Sequence, residues 1–316
     1  MILFSDKDKD NRKIFCIGET VLDIIFRNDR PISATPGGSM LNSAVSLGRA
    51  GIPVYLISDY AMDHAGDLVN RFLLGNGVST EYISRYPDGK TALALAFLDE
   101  QKNADYSFYK IFPAERMNIP MPATQTGDIV LFGSFYSLDE SVRKTVVNFI
   151  RQARSQGAFI IYDPNFRKAH LDELEKLRPL ILENISMADL VRGSDEDFSN
   201  IFNASGALEA FGHVNRAGCP LLVYTKGSEG VEVISTGYSL SYTVPQIDPV
   251  STIGAGDSFN AGIIHAMIGG DILVTPTESS WDHIIARATG FAANVCRSIE
   301  NYISTEFGSS FLKSNP

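Results

Sequence analysis

Residues 128–163, DIVLFGSFYSLDESVRKTVVNFIRQARSQGAFIIYD, decide the architecture. The two ends, DIVLFG and AFIIYD, are short unbroken apolar runs, the pattern of strands buried on both faces. Between them lies a helix-length stretch that mixes polar and apolar residues. A strand, a helix and a second such strand make a unit with parallel strands and a right-handed crossover. The alternation continues on both sides. Residues 14–17, 54–58, 189–192 and 221–225 read as strands, and 41–50 and 65–74 as helices. The first of these helices closes at Gly51-Ile52-Pro53 and the second at Gly75 and Gly77. The expected fold class is α/β, a mostly parallel sheet covered on both faces. Ligands of such sheets sit beyond the carboxyl ends of the strands, so the chemistry belongs there.

Two stretches interrupt the rhythm. Residues 22–32 are extended, and residues 91–110 read as two alternating strands around a polar tip at 99–104. Both are assigned to a small β subdomain, built from separated segments at about 22–36 and 89–112 and projecting from one domain spanning 1–316. The tail after Thr305, with a glycine and several serines, reads as loosely held.

Composition excludes several function classes. The chain has 316 residues, 27 Lys+Arg against 37 Asp+Glu, and a formal net charge of −10. That balance argues against a nucleic-acid surface, which needs a clustered basic excess. The three cysteines, Cys16, Cys219 and Cys296, are far apart with no CxxC, so neither a disulfide framework nor a zinc site is expected. No apolar run reaches the roughly 18 residues of a membrane span, and the N-terminus is no signal peptide. The reading is a cytoplasmic protein without membrane or nucleic-acid partners.

Residues 251–264, STIGAGDSFNAGII, carry the most chemistry. Glycines just ahead of a helix expose consecutive backbone N–H groups, and the helix end adds partial positive charge, which together suit a phosphate. Asp257 falls in the first turn, where a carboxylate accepts a hydroxyl proton. Taken alone, the stretch reads equally well as a chain turn with a helix-capping aspartate. Gly37-Gly38-Ser39-Met40-Leu41-Asn42 enters the first strong helix; there the backbone admits a ligand closely, and Asn42 offers an amide to sugar hydroxyls. A buried, satisfied Asn at a helix entry is the equal alternative. There is no GxxxxGK[ST], no complete GxGxxG, no HExxH and no GxSxG, which removes P-loop, dinucleotide-binding, metalloprotease and α/β-hydrolase readings.

Residues 37–42 and 254–257, at opposite ends of one chain, resemble the two signatures of the PfkB-type, or ribokinase-like, carbohydrate kinase family. The resemblance extends to the opening strand with Asp23, the interrupting strands, Asp163-Pro164-Asn165-Phe166-Arg167, and Thr225-Lys226-Gly227-Ser228-Glu229-Gly230. It implies a three-layer α/β/α fold with a β-sheet lid, and transfer of the γ-phosphoryl of ATP to a sugar hydroxyl with Mg²⁺. Carried over by position, Asp257 is the catalytic base, and Gly254, Ala255 and Gly256 form the anion hole. Asp23, Gly37, Gly38 and Asn42 match the sugar contacts, with Asp163, Asn165 and Arg167 beside them. Ser194, Thr225, Gly227, Gly230 and Asn294 match the nucleotide side. The lid closes over the sugar and excludes water, and the resemblance makes it the surface of a homodimer.

Residues 107–115 resemble the fructokinase segment, with Lys110 replacing the arginine common there, a point charge in place of a planar fork. Fructose, with fructose 6-phosphate as product, is the leading substrate; another ketose or a ketoaldonate such as 2-keto-3-deoxygluconate is the rival. A catalytically silent sugar-binding regulator is the rival of another class. Where the family has Asp-Thr ahead of the GAGD, this chain has Ser251-Thr252, which speaks against K⁺ activation. The family's NxxE stands here as Ser194-Asp195-Glu196-Asp197, with Asp197 acting on metal through water.

Overall fold

Alternating strands and helices run through the computed structural model, which describes residues 12–98, 104–270 and 276–312. The chain begins with β1 (Ile14–Ile17), β2 (Val21–Arg27), β3 (Arg30–Gly37), α1 (Ser39–Arg49), β4 (Val54–Ala61) and α2 (His64–Gly75). Next come β5 (Val78–Ser79), β6 (Ile83–Tyr86), β7 (Lys90–Leu98), β8 (Ala104–Ile111), β9 (Ile129–Gly133) and α3 (Glu140–Ser155). Then follow β10 (Phe159–Asp163), α4 (Leu174–Met187), β11 (Leu190–Ser194), α5 (Asp195–Phe202), α6 (Ala207–Arg216) and β12 (Leu221–Thr225). The last part holds β13 (Val231–Ser235), β14 (Ser239–Tyr242), α7 (Ala255–Gly269), α8 (Trp281–Val295) and α9 (Thr305–Leu312).

Among the described residues, ten strands form the main sheet in the order β14-β13-β12-β11-β10-β9-β1-β4-β5, with β6 also pairing β4. From β12 to β5 the pairing is parallel, and β13 and β14 add antiparallel at the edge. The unit that decided the reading forms as expected: β9 and β10 pair in parallel, with Gly133 opposite Asp163. Period-two side-chain alternation explains why these strands are apolar throughout. In β1, Ile14 and Cys16 join the core under α1, α7 and α8, while Phe15 and Ile17 join the core under α3, α4 and α6. Helix α3 presents Val142, Val146, Phe149, Ile150 and Ala153 to that second core, a stripe at helical spacing. Asp139 caps its start by accepting from Ser141 N.

A separate four-stranded sheet, β3-β2-β7-β8, is the lid. Its strands lie within 21–37 and 90–111, and residues 99–103 of the polar tip lie outside the described residues. Where the chain leaves the lid, Arg116 makes a bidentate bond to Asp59 of β4, at 2.7 and 2.9 Å, and a further bond to Asp139. That buried pair ties the lid's return to the main sheet.

The chain beyond Thr305 is not loose over its described part. It forms α9, whose Phe307 and Phe311 pack on Phe291 with ring centres 5.6 and 5.5 Å apart. Gly308 lets α9 approach α1: a Cβ there would lie 2.4 Å from the carbonyl oxygen of Arg49.

Candidate active site

The carboxyl ends of β10, β11 and β12 face the N-terminal ends of α1 and α7, and the chemistry gathers between them. The turn into α7 requires glycine. Gly254 has φ 79°, and a Cβ on it would stand 2.1 Å from the carbonyl oxygen of Asn301. The first intrahelical bond runs from Ser258 N to Gly254 O, so the N–H groups of Gly256 and Asp257 precede the ladder. Ala255 N–H is already engaged by Thr252 O at 3.2 Å. Of the three expected anion-hole amides, Gly256 is thus better placed to donate outward than Ala255.

Asp257 is buried in this first turn. Ser39 Oγ donates to its Oδ1 at 2.6 Å, Asn42 Nδ2 to its Oδ2 at 2.8 Å, and Ser43 Oγ to its backbone carbonyl at 2.8 Å. Asn165 Nδ2 stands 3.5 Å from Oδ1. Helix α1 therefore orients the carboxylate from one side and the 163–167 loop from the other. Burial raises the pKa of Asp257, opposed by the two donors from Ser39 and Asn42; the nearby Asp163 raises it further and Arg167 lowers it. Oδ2, with one donor, keeps a second lone pair, so a hydroxyl has an acceptor there. Asn42, expected on the sugar, spends its N–H₂ on Asp257.

Arg192, which the sequence reading leaves inside a strand, sits at the centre. Its Nη1 donates to Asp163 at 3.0 Å and its Nη2 to Thr225 Oγ1 at 2.9 Å. A Cβ on Gly256 would lie 2.7 Å from Nη1, so the guanidinium presses against the backbone of the phosphate turn. Asp163 receives a second bond, from Asn260 Nδ2 of α7 at 2.6 Å. One cation thus links β10, β11, β12 and the start of α7. The signal in the sequence is an arginine near the end of an otherwise apolar strand, since a charge is almost never buried there unpaired.

Asp23, on β2, lies under Gly37, where a Cβ would fall 2.1 Å from its Oδ2. Burial, helped by the charge of Glu19, pushes its pKa up to about 7. A raised carboxylate pKa contributes stability that is present at low pH and lost as pH climbs from about 4 towards 7. Asp23→Asn, a mimic of the protonated form, should therefore stabilise the ligand-free protein at pH 8 by about 1–2 kcal/mol, discounted for its solvent contact. At pH 4 the gain should vanish; thermal melts at the two values check this.

The remaining expected residues scatter more. Gly38 has φ 131° and closes onto the carbonyl of Glu19. Lys110 Nζ is paired with Glu19 at 2.6 Å and lies over the Phe108 ring. Arg167 is exposed, and its side chain makes no hydrogen bond among the described residues. Gly227 and Gly230 have positive φ, 54° and 124°, in the turn between β12 and β13. Asn294 Oδ1 accepts from Ser304 N at 2.8 Å, holding the chain after α8.

Ser194 and Asp197 form a reciprocal cap on α5. Asp197 Oδ2 accepts from Ser194 N at 2.7 Å and Oδ1 from Phe166 N at 2.6 Å, so this carboxylate shapes the 163–167 loop. Burial and the charge of Asp163 raise its pKa. Among the described residues no three His, Cys, Asp or Glu converge as metal ligands.

Known proteins resemble this chain in sequence and in fold. The model of the pfkB family carbohydrate kinases matches residues 11–306. A fructokinase of Vibrio alginolyticus is 24% identical over 254 residues, 80% of this chain and 83% of that protein. An aminoimidazole riboside kinase of Salmonella typhimurium is 22% identical over 290 residues, 91% of this chain and 88% of that protein. Among solved structures, the fructokinase from Vibrio cholerae O395, in its form with fructose, ADP and calcium, superposes with a TM-score of 0.82 at 19% identity. It covers 95% of this chain and 99% of that one. With that family match spanning nearly the whole of its length, the chain belongs to the pfkB family of carbohydrate kinases.

Proposed function

We propose that this kinase transfers the γ-phosphoryl of ATP to a hydroxyl of fructose, giving fructose 6-phosphate and ADP. The observation that carries the chemistry is Asp257, buried at the start of α7 and held from two sides beside outward backbone amides. The names of the relatives and the lid segment 107–115 support the ketose.

In this reading the sugar lies under the lid with Asp23 accepting from its hydroxyls and Gly37 and Gly38 allowing close approach. Asn165 and Arg167 close the other side. Asp257 takes the proton of the attacking hydroxyl as the new O–P bond forms and the bond to ADP breaks. Charge on the transferred group is met by the N–H of Gly256, the α7 end and the Arg192 guanidinium behind them, which is electrostatic work. ATP runs from there over Thr225, Gly227 and Gly230 towards Asn294. Mg²⁺ would arrive on the nucleotide phosphates, which it commonly uses as ligands. A homodimer through the lid and a cytoplasmic setting complete the proposal; exposed Phe108, Tyr109 and Ile111 on β8 favour the first.

Coupled ADP release across ketoses, aldoses, ketoaldonates and ribosides tests the substrate. Fructose should give the highest kcat/KM. A riboside or ketoaldonate on top would replace fructose, and sugar binding without turnover would make the chain a silent regulator. Arg167→Ala should raise KM for the sugar about tenfold and KM for ATP little, since it removes one charge-assisted contact of about 1.5 kcal/mol. A larger effect on ATP would move Arg167 to the nucleotide side.

A further inference from the structure

A cavity of about 670 Å³ lies away from the catalytic end, between α4, the last turn of α5 and α6. Its walls include Arg178 and Leu182 of α4, Asn200 and Phe202 of α5, and His213 and Arg216 of α6. The volume is that of a small-molecule site. Helix α5 runs about 12 Å from its Ser194 cap, beside the 163–167 loop, to this cavity.

The charge here runs against the rest of the chain, whose formal net charge is −10. Arg216 makes no hydrogen bond or ion pair among the described residues. Arg178 donates Nε to Ile201 O at 3.2 Å and Nη1 to Glu175 at 2.7 Å, which fixes the guanidinium in the wall and leaves Nη2 to donate. Both cations are felt at His213: burial lowers its pKa, Arg216 and Arg178 lower it further, and Glu209 opposes them. The His213 ring stacks on Phe202, centres 4.7 Å apart and 6° from parallel, giving a flat rigid wall. Asn200 Nδ2 is shielded from solvent without a hydrogen-bond partner among the described residues.

We propose that this cavity is a binding site for a small organic anion, an oxyanion carried on a flat apolar body. The two guanidinium groups supply the planar donors that phosphate and carboxylate favour. A concave wall of one sign concentrates the anion. Leu182, Phe202 and the His213 ring face the apolar body. The assignment is independent of which sugar the kinase uses.

Phenyl phosphate is the probe, titrated calorimetrically into the full chain with ADP saturating the catalytic end. One saturable site should appear. Arg216→Glu, on an exposed position that does not threaten folding, should weaken it at least tenfold, and Arg216→Lys should recover part of the loss. Asp257→Asn should leave it unchanged. Inorganic phosphate should bind at least tenfold more weakly, because it lacks the apolar body. Phenyl phosphate tighter than benzoate would mark a phosphate ligand, and the reverse a carboxylate. The assignment fails if no saturable binding is seen at millimolar probe, if ADP displaces the probe, or if Arg216→Glu binds it like the native chain.

Discussion

Asp257→Asn should lower kcat by about 10²–10⁴-fold, the usual contribution of a positioned base, while the fold and ligand binding survive. The survival follows from the donors around the group. In the variant, the amide oxygen still accepts from Asn42 Nδ2, which lies 2.8 Å from the native Oδ2. The new N–H₂ faces Ser39 Oγ, a hydroxyl that turns from donor to acceptor. Stability should even favour the variant above neutral pH, because burial raises the native carboxyl's pKa and its ionisation weighs on the folded state. The same direction sets the pH profile. Activity of the native enzyme should rise with pH through a limb above the ordinary carboxylate range and then level off as the base ionises. Stopped assays of ADP formation, with sugar affinity measured separately, distinguish the outcomes. A variant that keeps near-native kcat removes Asp257 from the role of base, and one that loses sugar binding together with kcat makes it a binding residue.

The parts of this molecule that sequence reading reaches are those whose physics is local. Strands β9, β10 and β12 are buried on both faces, so each is an unbroken apolar run. Strand β14 escapes because it is half exposed at the edge of the sheet; the residues of Ser239–Tyr242 alternate in exposure and become a strand only by pairing with β13. Helix α9 escapes because Gly308 and its neighbouring serines look like a breaker, although Phe307 and Phe311 are spaced for one helical face. In the site, Asp257 is legible from its glycines. Ser39 is not, although it follows Gly37-Gly38 directly, because its partner is far along the chain and only the packing of α1 on α7 joins them. Asn42 is legible as polar and important but not as a positioning group for the base. Arg192 is least legible: its partners stand on the two neighbouring strands, and only the parallel register of β10, β11 and β12 brings Asp163 and Thr225 to it.

Replacing Arg192 should therefore have the largest effect of any change outside the base. Its side chain is 9% exposed and that of Asp163 1%, so Arg192→Met strands a buried carboxylate without its cation, left with the bonds from Asn260 Nδ2 and the backbone N–H of Asn165. Breaking a buried pair from one side destabilises by about 3–5 kcal/mol. Asp163 and Asp197 already interact, since the charge of Asp163 raises the pKa of Asp197 and Arg192 lowers it. Without the guanidinium the pKa of Asp197 should rise further, since the charge that lowers it is gone. A raised folded pKa means stability that is present at low pH and lost as pH rises through it. The deficit of the Met variant should accordingly be larger at pH 8 than at pH 5, a sign that simple loss of packing would not produce. Catalysis should suffer separately. With positive charge removed from behind Gly256, kcat should fall about 10²–10³-fold, the effect of losing one donor to a developing anion. Arg192→Lys divides the two roles. A lysine restores the charge but reaches Asp163 or Thr225 and not both, because it lacks the fork. It should recover most of the stability and little of kcat. Denaturant melts at the two pH values, beside kcat for both variants, decide the matter. A Met variant with native stability, or a deficit that is flat in pH, would mean that Asp163 is held by Asn260 and the Asn165 N–H without the cation and that Arg192 only fills the space under α7.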